Sequence, residues 1–310
     1  MISVCIIRSL NKPWHNNTTD AFYKALNFDE DKKFKVKKLY TYPEHHEFFD
    51  FIIVIGIKAL SKKIFDGSIL KKQCNFLIDL GDHSMDARTD CEDYYFYFLK
   101  NNSKLKDNYI YIPKFVDESL LIPNQENNIL TVFIDHYRHQ QEKERELSIR
   151  AISEIFKILK YSNVNLNIFY HNSSGIVLNP STFEIPEIGF KENYKFIPYK
   201  QIIEYYKKTH IFFPTHRETQ GMVAHEIGAC GGLTIMQNWM YPETTHKDFY
   251  HIKYKFGSKL DFKKISEYVF NLKNREMFRE KVLNNCSFLN FKTVLKKTLT
   301  TIYNDKQKKN

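Results

Sequence analysis

The sequence predicts an α/β protein built as two successive doubly wound domains with a ligand cleft between them. Three observations predict it. Short apolar runs alternate with amphipathic or polar segments along most of the chain. Several of these runs are uninterrupted, as strands buried on both faces require. A polar, turn-rich stretch, IPNQENN at 122–128, divides the alternation into two halves, and 310 residues suit two domains better than one. The expected division is a first domain over 1–121, a linker over 122–129, a second domain over 130–288, and a last helix over 289–310 that turns back onto the first domain and ends in a basic tail.

In the first half, Ser3 to Ile7, Phe34 to Tyr40, Phe51 to Ile57, Phe76 to Leu80 and Tyr109 to Ile112 read as strands. Helices fit Asp20 to Leu26 and Ala59 to Phe65, the former with Thr18 or Thr19 as its N-cap. In the second half, strands are expected at Ile129 to Asp135, Leu166 to Tyr170, Tyr194 to Ile197, His210 to Phe213 and Leu233 to Met236. Helices are expected at Glu144 to Lys160, Tyr199 to Lys207, Gly221 to Cys230, Ile265 to Leu272, Met277 to Leu283 and Phe291 to Ile302. The last carries Phe291, Val294, Leu295, Leu299 and Ile302 on one face, which must be buried somewhere.

Composition narrows the function. The formal charge of +10 favours anionic partners such as nucleotides, phosphorylated lipids or nucleic acid, although lysine-rich codon usage accounts for much of it. The densest basic runs are 32–38 and 306–309, and both also suit solvated faces. Five cysteines without a CxxC spacing suggest neither a zinc ribbon nor a disulfide framework, and the histidines have no metal-ligand spacing. The start, MISVCIIRSL, has no signal-peptide pattern, and no apolar run reaches membrane-spanning length. A cytoplasmic, metal-free protein with no integral membrane segment is the expectation.

Open α/β sheets bind ligands beyond the carboxyl ends of their strands, so the loops that follow strands hold the candidates. The most informative stretch is His210 to Met236. A buried strand runs into Pro214-Thr215, a polar loop carries Glu218, and a helix opens near Gly221 with Glu226 just over one turn inside it. Both carboxylates can face one cleft mouth, into which the amides of Thr219, Gln220, Gly221 and Met222 also point. A helix N-terminus of this kind suits a phosphate or a developing negative charge. Upstream, Arg138 follows the strand ending at Asp135, and Lys143 lies five residues further on. Positioned cations there would stabilise a departing diphosphate.

Pro214-Thr215-His216-Arg217-Glu218-Thr219-Gln220-Gly221 followed by Glu226-Ile227-Gly228-Ala229-Cys230-Gly231 resembles the E-x7-E motif of retaining glycosyltransferases with two Rossmann-like domains, the GT-B fold, in the group that includes sucrose and glycogen synthase relatives. The family pattern is P-S-x-x-E-x-x-G-x-x-x-x-E-A-x-A-x-G. Arg138 and Lys143 resemble its arginine and lysine, with Tyr137 where the family has glycine, and the resemblance covers about residues 110–245 well.

The resemblance implies that Glu218 contacts the donor sugar and Glu226 the ribose hydroxyls. It implies further that Arg138 and Lys143 neutralise the diphosphate, and that backbone groups near Ile197 to Tyr199 face the base. It places Asp82 and His83 across from the donor sugar, and Asn16 and Asn17 on the acceptor side where relatives carry glycines. The implied substrate is a UDP- or GDP-linked sugar, with no cofactor and no metal. The implied acceptor is a glycan or lipid-linked glycan. Two alternatives stand beside it: a viral-type DNA glycosyltransferase acting on hydroxymethylated bases, and a non-catalytic module that binds nucleotide sugars or nucleic acid.

Overall fold

Each half of the chain builds one six-stranded sheet, parallel throughout. The computed structural model describes residues 1–8, 13–27, 32–56, 60, 64–80, 92–97, 108–119, 121–123, 129–136, 142–172, 190–193, 197–216, 222–241 and 243–308. They divide into two compact units, Met1–Phe115 with Phe288–Asn310, and Val116–Ser287.

In the first unit the strands are β1 (Ile2–Arg8), β2 (Phe34–Leu39), β3 (Phe49–Ile55), β4 (Cys74–Leu80), β5 (Tyr94–Tyr97) and β6 (Tyr109–Tyr111), ordered β2-β1-β3-β4-β5-β6. The two uninterrupted apolar runs occupy the centre. Val4 to Ile7 and Phe51 to Ile55 are fully buried, as expected of strands covered on both faces. The lysine-rich run at 32–38 belongs to β2, an edge strand. Its lysines discourage edge-to-edge pairing and are held locally, Lys37 by Glu47 at 2.5 Å and Lys38 by Asp20 at 2.7 Å.

Helix α1 (Pro13–Asn27) lays Phe22, Ala25 and Leu26 on this sheet. It starts well before the expected cap, so Thr18 and Thr19 are buried helix-interior residues, not capping ones. The helix expected at 59–65 is absent from its described residues. The short helix here is α2 (Gly67–Lys71), started by Asp66, whose side chain accepts from the Ser68 amide at 2.8 Å. The last helix of the chain, α9 (Phe288–Gln307), joins this unit. Phe291, Leu295, Leu299 and Ile302 enter the same core as β1 and α1, with the Phe22 and Phe291 rings 5.1 Å apart.

The second unit contains β7 (Leu130–His136), α3 (Glu142–Lys160), β8 (Leu166–Asn172), β9 (Phe190–Asn193), α4 (Tyr199–Lys208), β10 (Ile211–Pro214), α5 (Met222–Ala229), β11 (Leu233–Met236), α6 (Glu243–His246), β12 (His251–Lys253), α7 (Phe262–Phe270) and α8 (Leu272–Cys286). The order β12-β11-β10-β7-β8-β9 is that of a dinucleotide-binding sheet, with its topological switch between β7 and β10. Strand β9 covers Phe190–Asn193; of the strand expected at Tyr194 to Ile197 only Ile197 is among the described residues, outside any strand; and β5 and β12 are strands beyond those expected.

The unit begins at Val116, where the sequence reading has the first domain running to 121. Val116 and Leu121 are buried in its core, and the Val116 amide donates to the Cys286 carbonyl at 2.8 Å. Arg279 of α8 completes the attachment by donating to the carbonyls of Leu121, Ala229 and Glu118. Arg275, one turn earlier, donates to the carbonyls of Gly231 at 3.3 Å and Cys230 at 3.2 Å. These guanidinium contacts satisfy carbonyls at the C-terminus of α5, where positive charge is also favoured by the helix dipole. Gly231 takes a φ of +79°, the left-handed conformation that ends a helix. No helix among the described residues is long and apolar enough to cross a membrane.

Candidate functional site

The carboxyl ends of β7 and β10 flank the topological switch, and Thr215 ties them together. It is fully buried, and its hydroxyl donates to the Asp135 carbonyl at 2.7 Å. Beyond β10 the chain leads into α5, MVAHEIGA. Its small residues let it sit deep: Ala224 through Ala229 are all buried, and a Cβ on Gly228 would lie 2.8 Å from Val282 of α8.

One member of this buried helix is a carboxylate. Glu226 is only 8% exposed. Its side chain accepts a 2.6 Å hydrogen bond from the hydroxyl of Tyr199, the first residue of α4. Burial pushes the Glu226 carboxyl up from its ordinary 4.5 to about 7, and the Tyr199 hydrogen bond opposes that rise. Burial also pushes the Tyr199 phenol up, with the Glu226 charge adding to it, so the phenol stays a donor. A carboxylate kept dry and held in one orientation is suited to taking hydrogen bonds from a diol. Burial pushes the thiol of Cys230, just past α5, up to about 12, which keeps it protonated at neutral pH.

The structure thus joins two candidates that the sequence had kept apart, through the Tyr199 side chain. Met222 opens α5 and is half-buried, so its amide is among those with no partner inside the helix. Ile197 is buried two residues before α4. Lys143 is exposed in the first turn of α3. Asn16 and Asn17 belong to the body of α1, with Asn17 exposed; they are not loop residues after β1. Asp82, His83, Arg138, Glu218, Thr219, Gln220 and Gly221 lie outside the described residues.

A second polar pair was not foreseen. Asp135 and His171 are register partners at the ends of β7 and β8, and His171 Nδ1 lies 2.8 Å from Asp135 Oδ1. Only knowledge that β7 pairs with β8 in this register could have found it. On the other face of the sheet, His136 Nδ1 meets the Tyr170 hydroxyl at 2.7 Å.

Among the described residues, His225, Asp248 and Cys286 bring one possible metal-ligating atom each within 4.8 Å of one another. Of these, His225 Nε2 and Asp248 Oδ2 are 3.5 Å apart.

No family model matches the sequence, and no curated protein sequence matches it. Solved structures do match. Sucrose-phosphate synthase from Thermosynechococcus elongatus superposes with a TM-score of 0.66 at 11% identity, over 98% of this chain and 100% of that one. The Anabaena protein HepE in complex with UDP-glucose gives 0.62 at 10% identity, over 97% and 100%. A putative UDP-N-acetylglucosamine 2-epimerase from Listeria monocytogenes gives 0.59 at 11% identity, over 99% and 97%. At such identities the likeness establishes the fold: two parallel-sheet α/β domains, as in GT-B glycosyltransferases.

Proposed function

We propose that this chain is a retaining glycosyltransferase that moves a sugar from a UDP- or GDP-linked donor to a hydroxyl of a glycan or lipid-linked glycan. The observation that carries the reading is Glu226, a buried carboxylate held by Tyr199 on the helix after β10, beside the switch point where a sheet of this order binds nucleotides. The seven residues that separate it from Glu218 agree with the E-x7-E pattern.

In this reading Glu226 accepts hydrogen bonds from the two ribose hydroxyls. Glu218, Asp82 and His83 address the donor sugar. The amides of Thr219 to Met222 receive the phosphate or sugar oxygens, and Met222 opens α5 as that role requires. Arg138 and Lys143 stabilise the charge that grows on the departing diphosphate, which is why the reaction needs no metal. Backbone groups from Ile197 to Tyr199 meet the base. The first unit supplies acceptor recognition, with Asn16 and Asn17 on that side. The acceptor hydroxyl attacks from the face the diphosphate leaves, and a diphosphate oxygen takes its proton, so the anomeric configuration is kept.

The test is incubation with a panel of nucleotide sugars, reading thermal shift, donor hydrolysis and the anomeric configuration of the product, with and without chelator. Stabilisation by UDP- or GDP-sugars, with release of the sugar in its original configuration, is expected. An inverted product overturns retention. An epimerised nucleotide sugar with no transfer or hydrolysis overturns the transferase reading.

A further inference from the structure

The Asp135–His171 pair lies at the carboxyl ends of β7 and β8. Residues two apart on a strand point to the same side, so Asp135 shares a sheet face with Phe133, and His171 with Phe169. Helix α4 covers that face: Phe133 meets Tyr206 edge-on at 5.3 Å, and Phe169 stacks on Tyr205 at 3.8 Å. The pair lies beyond these rings, at the carboxyl end of the face, and α4 begins with the tyrosine that holds Glu226. The side chains are 14% and 13% exposed.

Only one ring nitrogen of His171 is used. Nδ1 meets Asp135, while Nε2 is buried and has no hydrogen-bond partner among the described residues. A buried polar atom left unpaired is costly, and native structures keep such atoms chiefly where a ligand or water completes them. The Asp135 carboxylate can only accept, so in the neutral ring the proton sits on Nδ1 and Nε2 carries the lone pair. That lone pair suits a group that donates a hydrogen bond.

We propose that His171 Nε2 accepts a hydrogen bond from an N–H or O–H of the nucleoside part of the donor, with Asp135 fixing the tautomer. His171 is then a nucleotide-recognising residue and Asp135 its positioning residue. The inference rests on the nucleotide-sugar reading above and adds a contact to it.

Calorimetry with UDP and GDP, and with pyrophosphate as a nucleoside-free probe, tests it. His171→Phe is expected to weaken whichever nucleoside diphosphate the wild type prefers by about tenfold. Asp135→Asn should do the same without removing the ring. Its amide donates to Nδ1 and drives the proton to Nε2, turning the acceptor into a donor. Neither change should alter pyrophosphate affinity. N3-methyl-UDP and 2′-deoxy-UDP assign the contact, since the His171→Phe effect disappears with whichever analogue lacks the donating group. Wild-type affinity in both variants overturns the proposal, as does an equal loss for pyrophosphate. Should either variant fold poorly, ¹⁵N NMR of the wild type decides: His171 Nε2 must shift toward the hydrogen-bonded position on adding nucleotide, and a stationary resonance overturns the contact. A wild type that binds neither nucleotide nor nucleotide sugar removes the parent reading, and this contact with it. One that binds nucleotide while the variants bind equally removes this contact alone.

Discussion

Replacing Glu226 by glutamine should make the protein more stable and less able to bind its donor, and the size of the gain should depend on pH. In the folded chain the carboxyl titrates at about 7, against 4.5 for an ordinary glutamate, because burial disfavours its charge. Across that window the folded chain holds a proton that the unfolded chain has released. Stability from this group is therefore complete below the unfolded value and is lost as pH rises through the folded one. The difference amounts to about 3 kcal/mol at full ionisation. Glutamine keeps the shape and an oxygen for the Tyr199 hydroxyl, but never ionises.

Glu226→Gln should then match the wild type near pH 4.5 and exceed it by about 3 kcal/mol at pH 8, which in a domain of this size is a rise of about 6 °C or more in Tm. Thermal melts from pH 4.5 to 8.5 measure the first effect, and calorimetric titration of a donor nucleotide at pH 8 the second. Donor affinity should fall by about tenfold or more, because the ribose loses a charged acceptor. A stability difference that does not change with pH would refute the burial argument. Unchanged affinity would remove Glu226 from the site.

Tyr199→Phe removes the hydrogen bond that the Tyr199 hydroxyl gives the Glu226 carboxylate, so the pH midpoint of donor binding should move upward and affinity near pH 7 should drop; a midpoint at the wild-type value would show that the hydroxyl does not tune the carboxylate. On the proposed mechanism, Arg138→Ala and Lys143→Ala should each lower kcat more than donor affinity, because the diphosphate carries more charge in the transition state than in the bound donor; steady-state kinetics at the wild-type level would take both out of that role. Gly228→Ala puts a methyl 2.8 Å from Val282 Cγ2 and should cost about 1–3 kcal/mol in urea unfolding, with Val282→Ala restoring most of it.

The parts of the fold that could be read from the sequence are those where one signal dominates. Val4 to Ile7 and Phe51 to Ile55 are continuous apolar runs, and only a strand covered on both faces asks for that pattern. The amphipathic stripe on α9 announced a buried face at 291–302, and the core of the first unit receives it. Strands β5, Tyr94 to Tyr97, and β12, His251 to Lys253, escaped notice because they are short and owe their conformation to a neighbouring strand. The segment at 116–121 looked like the tail of the first domain. Its allegiance is set by Arg279 and the Cys286 carbonyl, more than 150 residues away along the chain. Of the candidate site, Glu226 is singled out by its spacing on a small-residue helix, and the structure shows it buried. Its tyrosine partner and the Asp135–His171 pair were not legible, since each exists only after strands and helices far apart in sequence have been set in register.

The second unit is one uninterrupted stretch of chain whose two ends touch. Val116 bridges to Ser287 and bonds to Cys286, while on the other side of each junction Phe115 and Phe288 have ring centroids 6.4 Å apart. Such a segment has the topology of an insert. It can be exchanged for another at the same two junctions, and the remaining chain rejoined across the gap between Phe115 and Phe288 with a loop only a few residues long, which is cheap in closure entropy. The second unit and the first can accordingly be recombined as cassettes, without disturbing the sheet to which α1 and α9 belong.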